Sequence, residues 1–149
     1  ETLLKQGGAP IVFSRFNAPM FWLERRLAGM GIKARFLHGG LTAFEKNQFV
    51  VDFAGMQFDV LLVQVKIADS WNATRSRDVL FLGRDWSPAI NSQGVARVHR
   101  EGQKGTVNVQ IPIVRKTIEV MIDRRLRAKD ADATMALRNL TIQELMEAL

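Results

Sequence analysis

Three polar side chains in the second half of the chain recur at the spacing of one helical face. Gln93, Arg97 and Arg100 are related as i, i+4 and i+7, so a helix would stack an amide and two guanidinium groups above one another. Val95 and Val98 would project to the other side, where the packing belongs. Two permanent cations on the remaining face predict that it binds an anion.

The composition predicts one globular domain with a basic surface. The chain has 149 residues, of which 47% are hydrophobic and 24% charged, and its formal net charge is +6. Residues 66–127 hold twelve cations and six anions, and fourteen of all twenty-one cations are arginine. Because the guanidinium group matches phosphate oxygens in a bidentate manner, a polyanionic partner is expected, although an excess of solvated arginine would give the same composition.

Several classes of site and segment are absent from the sequence. There is no cysteine, which excludes disulfides and cysteine-based zinc or iron–sulfur sites, and no metal site is predicted. No apolar run reaches the ~20 residues that cross a bilayer, and the N-terminus lacks the form of a signal peptide. We therefore expect no membrane partner and an intracellular protein, cytoplasmic if bacterial or phage and nuclear if eukaryotic.

Apolar runs typical of buried strands alternate with amphipathic stretches typical of helices. This order predicts an α/β fold with a mainly parallel sheet covered by helices on both faces. Trp22 is predicted to lie in the core, and Thr141 to begin a further helix. The predicted strands are residues 10–14, 32–37, 59–63, 77–82 and 106–111, and the helices begin near Asn17, Thr42, Ser87 and Thr117, the third running from Ser87 to Arg100.

The order of motifs resembles the second, C-terminal RecA-like lobe of superfamily-two helicases, and within them the Snf-type DNA translocases. The resemblance covers roughly residues 8–127, so we predict a helicase C-terminal lobe at 1–127 and a C-terminal helical extension at 128–149. The motifs are Ile11-Val-Phe-Ser14, Trp22-Leu-Glu-Arg-Arg-Leu27, Phe36-Leu-His-Gly-Gly40, Trp86-Ser-Pro88, Gln93-x-x-x-Arg97-x-x-Arg100-x-Gly-Gln103 and Thr117-Ile-Glu119.

The resemblance implies a role for the arginine-rich motif in ATP hydrolysis. In that family the two arginines reach the phosphates of ATP bound on the first lobe, so Arg97 and Arg100 are expected to act as catalytic arginine fingers and Gln93 to join them in binding ATP. ATP and Mg²⁺ would be held mainly by the first, N-terminal RecA-like lobe, which is thus an expected partner. This sequence has no phosphate-binding loop or magnesium-binding acidic pair of its own, so the isolated chain is expected to hydrolyse ATP negligibly.

The resemblance also implies a track for the sugar–phosphate backbone of DNA at the strand ends. Contacts of this kind are independent of sequence, as a translocating motor requires. The expected DNA-binding residues are Ser14, Arg15, His38, Gly39, Lys66, Thr74 and Trp86.

One loop departs from the family pattern. Where the family has Ala-Gly-Gly-x-Gly-x-Asn-Leu-Thr, this chain has Ile67-Ala-Asp-Ser-Trp-Asn72-Ala-Thr74, which keeps Asn and Thr but loses the glycines. A non-catalytic nucleic-acid-binding module with a degenerate RecA-like fold is therefore the alternative. A small-molecule α/β enzyme would need a glycine-rich loop after the first strand, whereas Gly7-Gly8 precedes it.

Some residues also have a purely structural interpretation. Arg97 and Arg100 could be held by Asp85 or Glu101 as a structural pair. His38 and His99 are predicted to be structural hydrogen-bonding groups rather than catalysts, because no partner is placed by spacing to orient them.

Overall fold

Among the residues that the structure describes, four α-helices intersperse five strands, with no α-helix between the third and fourth strands. The computed structural model describes Leu4, residues 8–67 and residues 71–147, and from residue 133 onwards it describes the backbone alone. The strands are β1 (Ile11–Ser14), β2 (Ala34–Leu37), β3 (Val60–Gln64), β4 (Asp78–Gly83) and β5 (Asn108–Gln110). The helices are α1 (Asn17–Ala28), α2 (Ala43–Ala54), α3 (Pro88–Ala96) and α4 (Ile118–Glu147), with a 3-10 turn at Val65–Ile67.

The sheet has the order β2-β3-β1-β4-β5, and every strand pairing is parallel. Connections that lead towards the β2 side cross one face of the sheet, and connections that lead towards the β5 side cross the other face. This arrangement follows because parallel crossover connections are right-handed. The α/β fold with a parallel sheet is confirmed. All the loops that leave strand ends therefore gather at one edge, the carboxyl edge of the sheet.

Two apolar layers cover the sheet, because strand residues alternate between its faces. Ile11 and Phe13 face the layer built by α2 and α3, with Phe53 of α2 fully buried. Val12 faces the layer built by α1, where Met20 is fully buried. The predicted covering of both faces is confirmed.

Helix α1 differs in detail from the prediction. Trp22, predicted to be in the core, is 65% exposed. The buried stripe of α1 consists of Met20, Leu23 and Leu27, and two helical residues place Trp22 about 200° away from Met20. Phe16 is the N-cap residue, and the helix begins at Asn17 as predicted.

A capping box begins α2, which confirms the predicted start of a helix near Thr42. The Thr42 hydroxyl accepts from the Glu45 N–H, and the Glu45 carboxylate accepts from the Thr42 N–H at 2.7 Å. The Thr42 hydroxyl also donates to this carboxylate at 2.8 Å, and both donors favour its charged form, so the backbone N–H of Thr42 and then its hydroxyl lower the pKa of Glu45.

The C-terminal part of the chain is one continuous helix rather than two. Helix α4 runs through Thr141, so the prediction of a new helix beginning there is wrong. The predicted boundary between residues 127 and 128 falls inside α4, and the division into a lobe and an extension stays a prediction.

Candidate functional site

The arginine motif lies at the C-terminal end of α3 and in the turn that follows. Helix α3 ends at Ala96, so Arg97 is its C-cap residue and Arg100 lies beyond the helix. The predicted helix from Ser87 to Arg100 is therefore too long, and the single stack of 93, 97 and 100 does not form. Beyond Ala96 the chain continues as a turn, in which Val98 is fully buried.

Gln103, the last residue of the motif, closes this turn. Its amide Nε2 donates to the carbonyl oxygens of Ser76 at 2.7 Å and of Val98 at 3.2 Å. Carbonyl groups at a helix end have no partner within the helix, so a side-chain donor there stabilises the turn. Gln103 belongs to the sequence motif, but the motif alone predicted no role for it.

Glycine at position 94 lets α3 pack closely on the sheet. A Cβ atom there would lie 3.3 Å from the Phe13 ring, and Gly94 is buried. The same ring stacks on Phe81 at 5.1 Å and on Trp71 at 6.4 Å between centroids. The close contact with Phe13 therefore fixes the height of α3, and with it Arg97, above β1.

The arginine motif lies beside the residues that lead into β4, because the Ala73 N–H donates to the Arg97 carbonyl and Gln103 donates to the Ser76 carbonyl. Gln93 and Arg100 are exposed and Arg97 is half-buried. Arg100 Nη1 donates to Asn72 Oδ1 at 2.7 Å, and Asn72 follows β3. The structure thus brings the arginine motif to the connection between β3 and β4.

Within the part of the chain that the structure describes, no carboxylate pairs with either arginine. Asp85 instead accepts from the Ser87 N–H at 3.0 Å, and its other oxygen lies 3.9 Å from Lys66 Nζ. The alternative in which Asp85 or Glu101 holds these arginines as a structural pair is therefore wrong.

A second group of predicted residues surrounds the ends of β1 and β4. Arg15 is half-buried, with its guanidinium carbon 5.9 Å from the centre of the Trp86 ring and 5.3 Å from that of Phe16. The Trp86 carbonyl accepts from Lys129 Nζ at 3.1 Å. Arg15, Trp86 and Lys129 thus form a cationic and aromatic cluster, and the exposed Lys66 extends the positive charge of this edge.

Ser14 and His38 take part mainly in local structure. Ser14 is only 2% exposed, and its hydroxyl accepts from the Phe16 N–H at 3.1 Å. His38 is half-buried against Phe21 and Phe36, and its Nδ1 accepts from the Gly40 N–H at 3.1 Å. A structural role for His38 agrees with these bonds, while contacts of either residue with DNA stay predictions.

Gly39 and Thr74 occupy the loops on either side of β3. The Gly39 N–H donates to Gln64 Oε1 at 3.0 Å, which ties the loop after β2 to the end of β3. Thr74 is half-buried beside Gly102, and the neighbouring Ala73 N–H donates to the Arg97 carbonyl at 3.0 Å. Thr74 is therefore next to the arginine motif rather than next to Arg15 and Trp86.

A partly buried ion pair fixes α4 against the end of β4. Arg84 Nη2 donates to Asp123 Oδ1 at 2.7 Å, and Arg127 Nε donates to the other oxygen at 2.8 Å. Hydrogen bonds from Arg127 and then from Arg84 lower the pKa of Asp123. Sequence reasoning missed this pair, because nothing in the local sequence relates positions 84 and 123.

Neither a membrane span nor a metal site emerges from the described residues. None of the helices among them combines the length and apolar character needed to cross a bilayer. Nor do three His, Asp or Glu side chains come together among them in a way that could hold a metal ion.

Comparison with known proteins identifies relatives over most of the chain. Residues 1–102 match the family described as helicase conserved C-terminal domain. The ATP-dependent helicase/translocase YwqA of Bacillus subtilis is 32% identical over 126 residues, which are 83% of this chain and 14% of that protein. A SWI/SNF-related regulator of chromatin, subfamily A member 3-like 1, from Arabidopsis thaliana is 31% identical over 113 residues, 73% of this chain and 13% of its own length.

A solved structure confirms the fold. The crystal structure of the C-terminal part of the Fun30 ATPase domain superposes with a TM-score of 0.78 at 21% identity, covering 83% of this chain and 40% of that one. The chain thus spans only a small share of the length of the curated relatives that it matches. From its matched family, its relatives and its fold, the chain belongs to the helicase conserved C-terminal domain family and is a RecA-like C-terminal lobe of the Snf type.

Proposed function

We propose that this chain is the second motor lobe of an ATP-dependent DNA translocase. In this proposal Arg97 and Arg100 act as arginine fingers on ATP bound by a first, N-terminal RecA-like lobe, and Gln93 joins them in binding the nucleotide. The observation that carries the proposal is that Arg100 is exposed and Arg97 only half-buried, with no carboxylate pairing with either guanidinium group among the described residues.

Transfer of the γ-phosphoryl group needs positive charge beside its oxygens. In this proposal Arg97 and Arg100 reach those oxygens only when the two lobes close. Negative charge on the transferring phosphoryl group spreads over its oxygens, and a planar guanidinium group can donate two parallel hydrogen bonds to them. An arginine finger contributes a factor of about 10³ to 10⁵ in rate, which corresponds to roughly 4 to 7 kcal/mol of the barrier. Lysine offers one point charge and fits this geometry less well.

Mg²⁺ belongs, in this proposal, to the first lobe. When bound it would neutralise phosphate charge during transfer. Arg97 and Arg100 suit phosphate oxygens rather than a cation, and the described residues supply no cluster of metal ligands. The contribution of this chain is therefore to orient and stabilise the phosphates.

DNA would bind along the carboxyl edge through its backbone. Arg15, Trp86 and the exposed Lys66 form the basic part of this edge, and Thr74 lies beside the arginine motif. Because phosphates repeat along the strand whatever the bases are, such contacts can be released and made again at each step. Closure over ATP and reopening after hydrolysis would then shift one lobe along the strand.

Two variants of the full-length protein test the proposal. Arg100→Ala should reduce DNA-stimulated ATP turnover by a factor of about 10³ or more while the dissociation constant for duplex DNA stays within about twofold. Arg26→Ala is the matched control, because it removes an exposed arginine from α1, away from the motif.

An unchanged turnover in Arg100→Ala would overturn the motor assignment. Unchanged turnover together with salt-dependent DNA binding would instead support the alternative, a nucleic-acid-binding module that retains the fold without motor activity.

A further inference from the structure

The glycine-poor loop after β3 is fastened to the arginine motif. Here the lock loop denotes residues 71–76 and the arginine segment denotes residues 97–103. Three hydrogen bonds join them: the Ala73 N–H donates to the Arg97 carbonyl at 3.0 Å, Arg100 Nη1 to Asn72 Oδ1 at 2.7 Å, and Gln103 Nε2 to the Ser76 carbonyl at 2.7 Å. The two segments are thus tied along their length, although about 25 residues separate them in sequence.

A buried indole anchors the lock loop at its first residue. Trp71 is only 6% exposed, its ring stacks on Phe13 with an interplanar angle of 24°, and its Nε1 donates to the Ile67 carbonyl at 3.3 Å. Phe13 is also the ring on which Gly94 of α3 rests. Trp71 and the helix that carries the arginines therefore share one support.

The contact between Asn72 and Arg100 leaves the cation available. A guanidinium group has five N–H donors, and Asn72 takes up one of them. The amide oxygen is neutral, so it orients the side chain without cancelling its charge, as a carboxylate would. Both residues are exposed, and an exposed hydrogen bond of this kind contributes little to stability.

We propose that Trp71 and Asn72 are positioning residues that orient Arg100 towards the phosphates. Trp71 fixes the backbone of the lock loop through its buried ring, and Asn72 holds the guanidinium group through its amide oxygen. The loop thereby gains order from a buried ring, where the family pattern that this sequence resembles has glycines. This inference rests on the proposed function, since it assigns the orientation of the same arginine finger.

The kinetic test compares two substitutions of Asn72 in the full-length protein. Asn72→Ala frees Arg100 and should lower kcat by about 10- to 100-fold with KM for ATP changed less than about threefold, because misplacement of a catalytic group acts on the chemical step. Asn72→Asp keeps an acceptor at the same place but pairs Arg100 with a negative charge, so it should not restore kcat. Asn47→Ala, an exposed asparagine of α2, is the matched control.

A purely structural role for Asn72 makes the opposite prediction. Asparagine and aspartate would then be interchangeable, and Asn72→Asp would restore kcat. That result, or a wild-type kcat in Asn72→Ala while Arg100→Ala is inactive, would overturn the inference.

A second measurement separates the positioning from the motor assignment. In the 149-residue chain, nitrogen-15 NMR should show slow rotation of the Arg100 guanidinium group, which becomes fast in Asn72→Ala and in Trp71→Ala but not in Asn47→Ala. Rotation that is equally fast in the unsubstituted chain would overturn the positioning itself. Slow rotation together with full ATP turnover in Arg100→Ala would leave the positioning intact and reject the proposed function.

Discussion

Arg84 and Asp123 form a hydrogen-bonded ion pair of 2.7 Å that joins the loop after β4 to helix α4. The arginine side chain is 9% exposed and the carboxylate 18%, whereas Arg127, the second partner of Asp123, is 76% exposed. The two contacts of this carboxylate therefore differ mainly in burial, which predicts very different contributions to stability.

Removing the carboxylate should be much more costly than removing its exposed partner. Asp123→Ala leaves the Arg84 cation buried without its counter-ion, so we expect a loss of about 3 kcal/mol in the free energy of unfolding, the lower end for a broken buried pair. Arg127→Ala removes only a solvent-screened contact and should cost much less. Urea unfolding of both variants measures this difference, and equal losses would contradict the account.

Acid should weaken the same contact. The pKa of Asp123 is lowered by Arg127 and Arg84, so at low pH the unfolded chain binds more protons than the folded one. The stabilisation is therefore fully present above the unfolded pKa of about 3.9 and is lost as the pH falls through the lower folded pKa. Asp123→Asn should show a shallower loss of stability below about pH 4 in unfolding curves at several pH values.

Glu45 also makes the folded state less stable in acid, because its pKa is likewise lowered in the folded state. The comparison must therefore be made between the wild type and Asp123→Asn, which share Glu45. Curves that stay parallel from pH 7 down to pH 3 would show that the Asp123 contact does not titrate in this way.

The contact between Gly94 and Phe13 predicts intolerance of even one methyl group. Gly94→Ala would place a Cβ 3.3 Å from a ring already packed between Phe81 and Trp71, so the ring has little room to move. Overpacking costs about 1 to 3 kcal/mol and outweighs the gain of up to about 1 kcal/mol from helix propensity. Ser92→Ala, half a turn away and exposed, is the control that should not be destabilised. Greater stability of Gly94→Ala would refute the close contact.

The affinity for DNA should depend less steeply on salt concentration when one phosphate contact is removed. Arg15→Ala in the full-length protein should weaken binding to duplex DNA equally for unrelated sequences and reduce the slope of log K against log salt by about 1. Arg26→Ala should leave the slope as it is. Titrations of a labelled duplex at several salt concentrations measure both, and an unaltered slope for Arg15→Ala would remove this residue from the proposed track.

Local patterns in the sequence predicted local structure well. The alternation of Ile11, Val12 and Phe13 between the two layers follows from strand geometry, and the Thr42–Glu45 capping box depends on residues only three positions apart. Motif order likewise led to the correct fold, because it reflects the sequence of strands and loops.

Contacts between distant segments could not be read from spacing. Asn72 and Arg100 are 28 residues apart, and Arg84 and Asp123 are 39 apart, so only the folded chain brings each pair together. The end of α3 was missed for a similar reason, since Gln103 closes the following turn by donating to the Ser76 and Val98 carbonyls, contacts that local spacing does not reveal. Trp22 was misplaced because its size suggested burial, while its position on α1 opposite Met20 exposes it.

The most direct test of the central claim is the rate of a single turnover of ATP by full-length Arg100→Lys on DNA. The substitution keeps a positive charge at the same place and removes the planar fork, so the proposal predicts a rate at least about 100-fold below that of the wild type, with DNA binding retained. A rate within about twofold of the wild type would contradict the claim that the Arg100 guanidinium group acts on the phosphates.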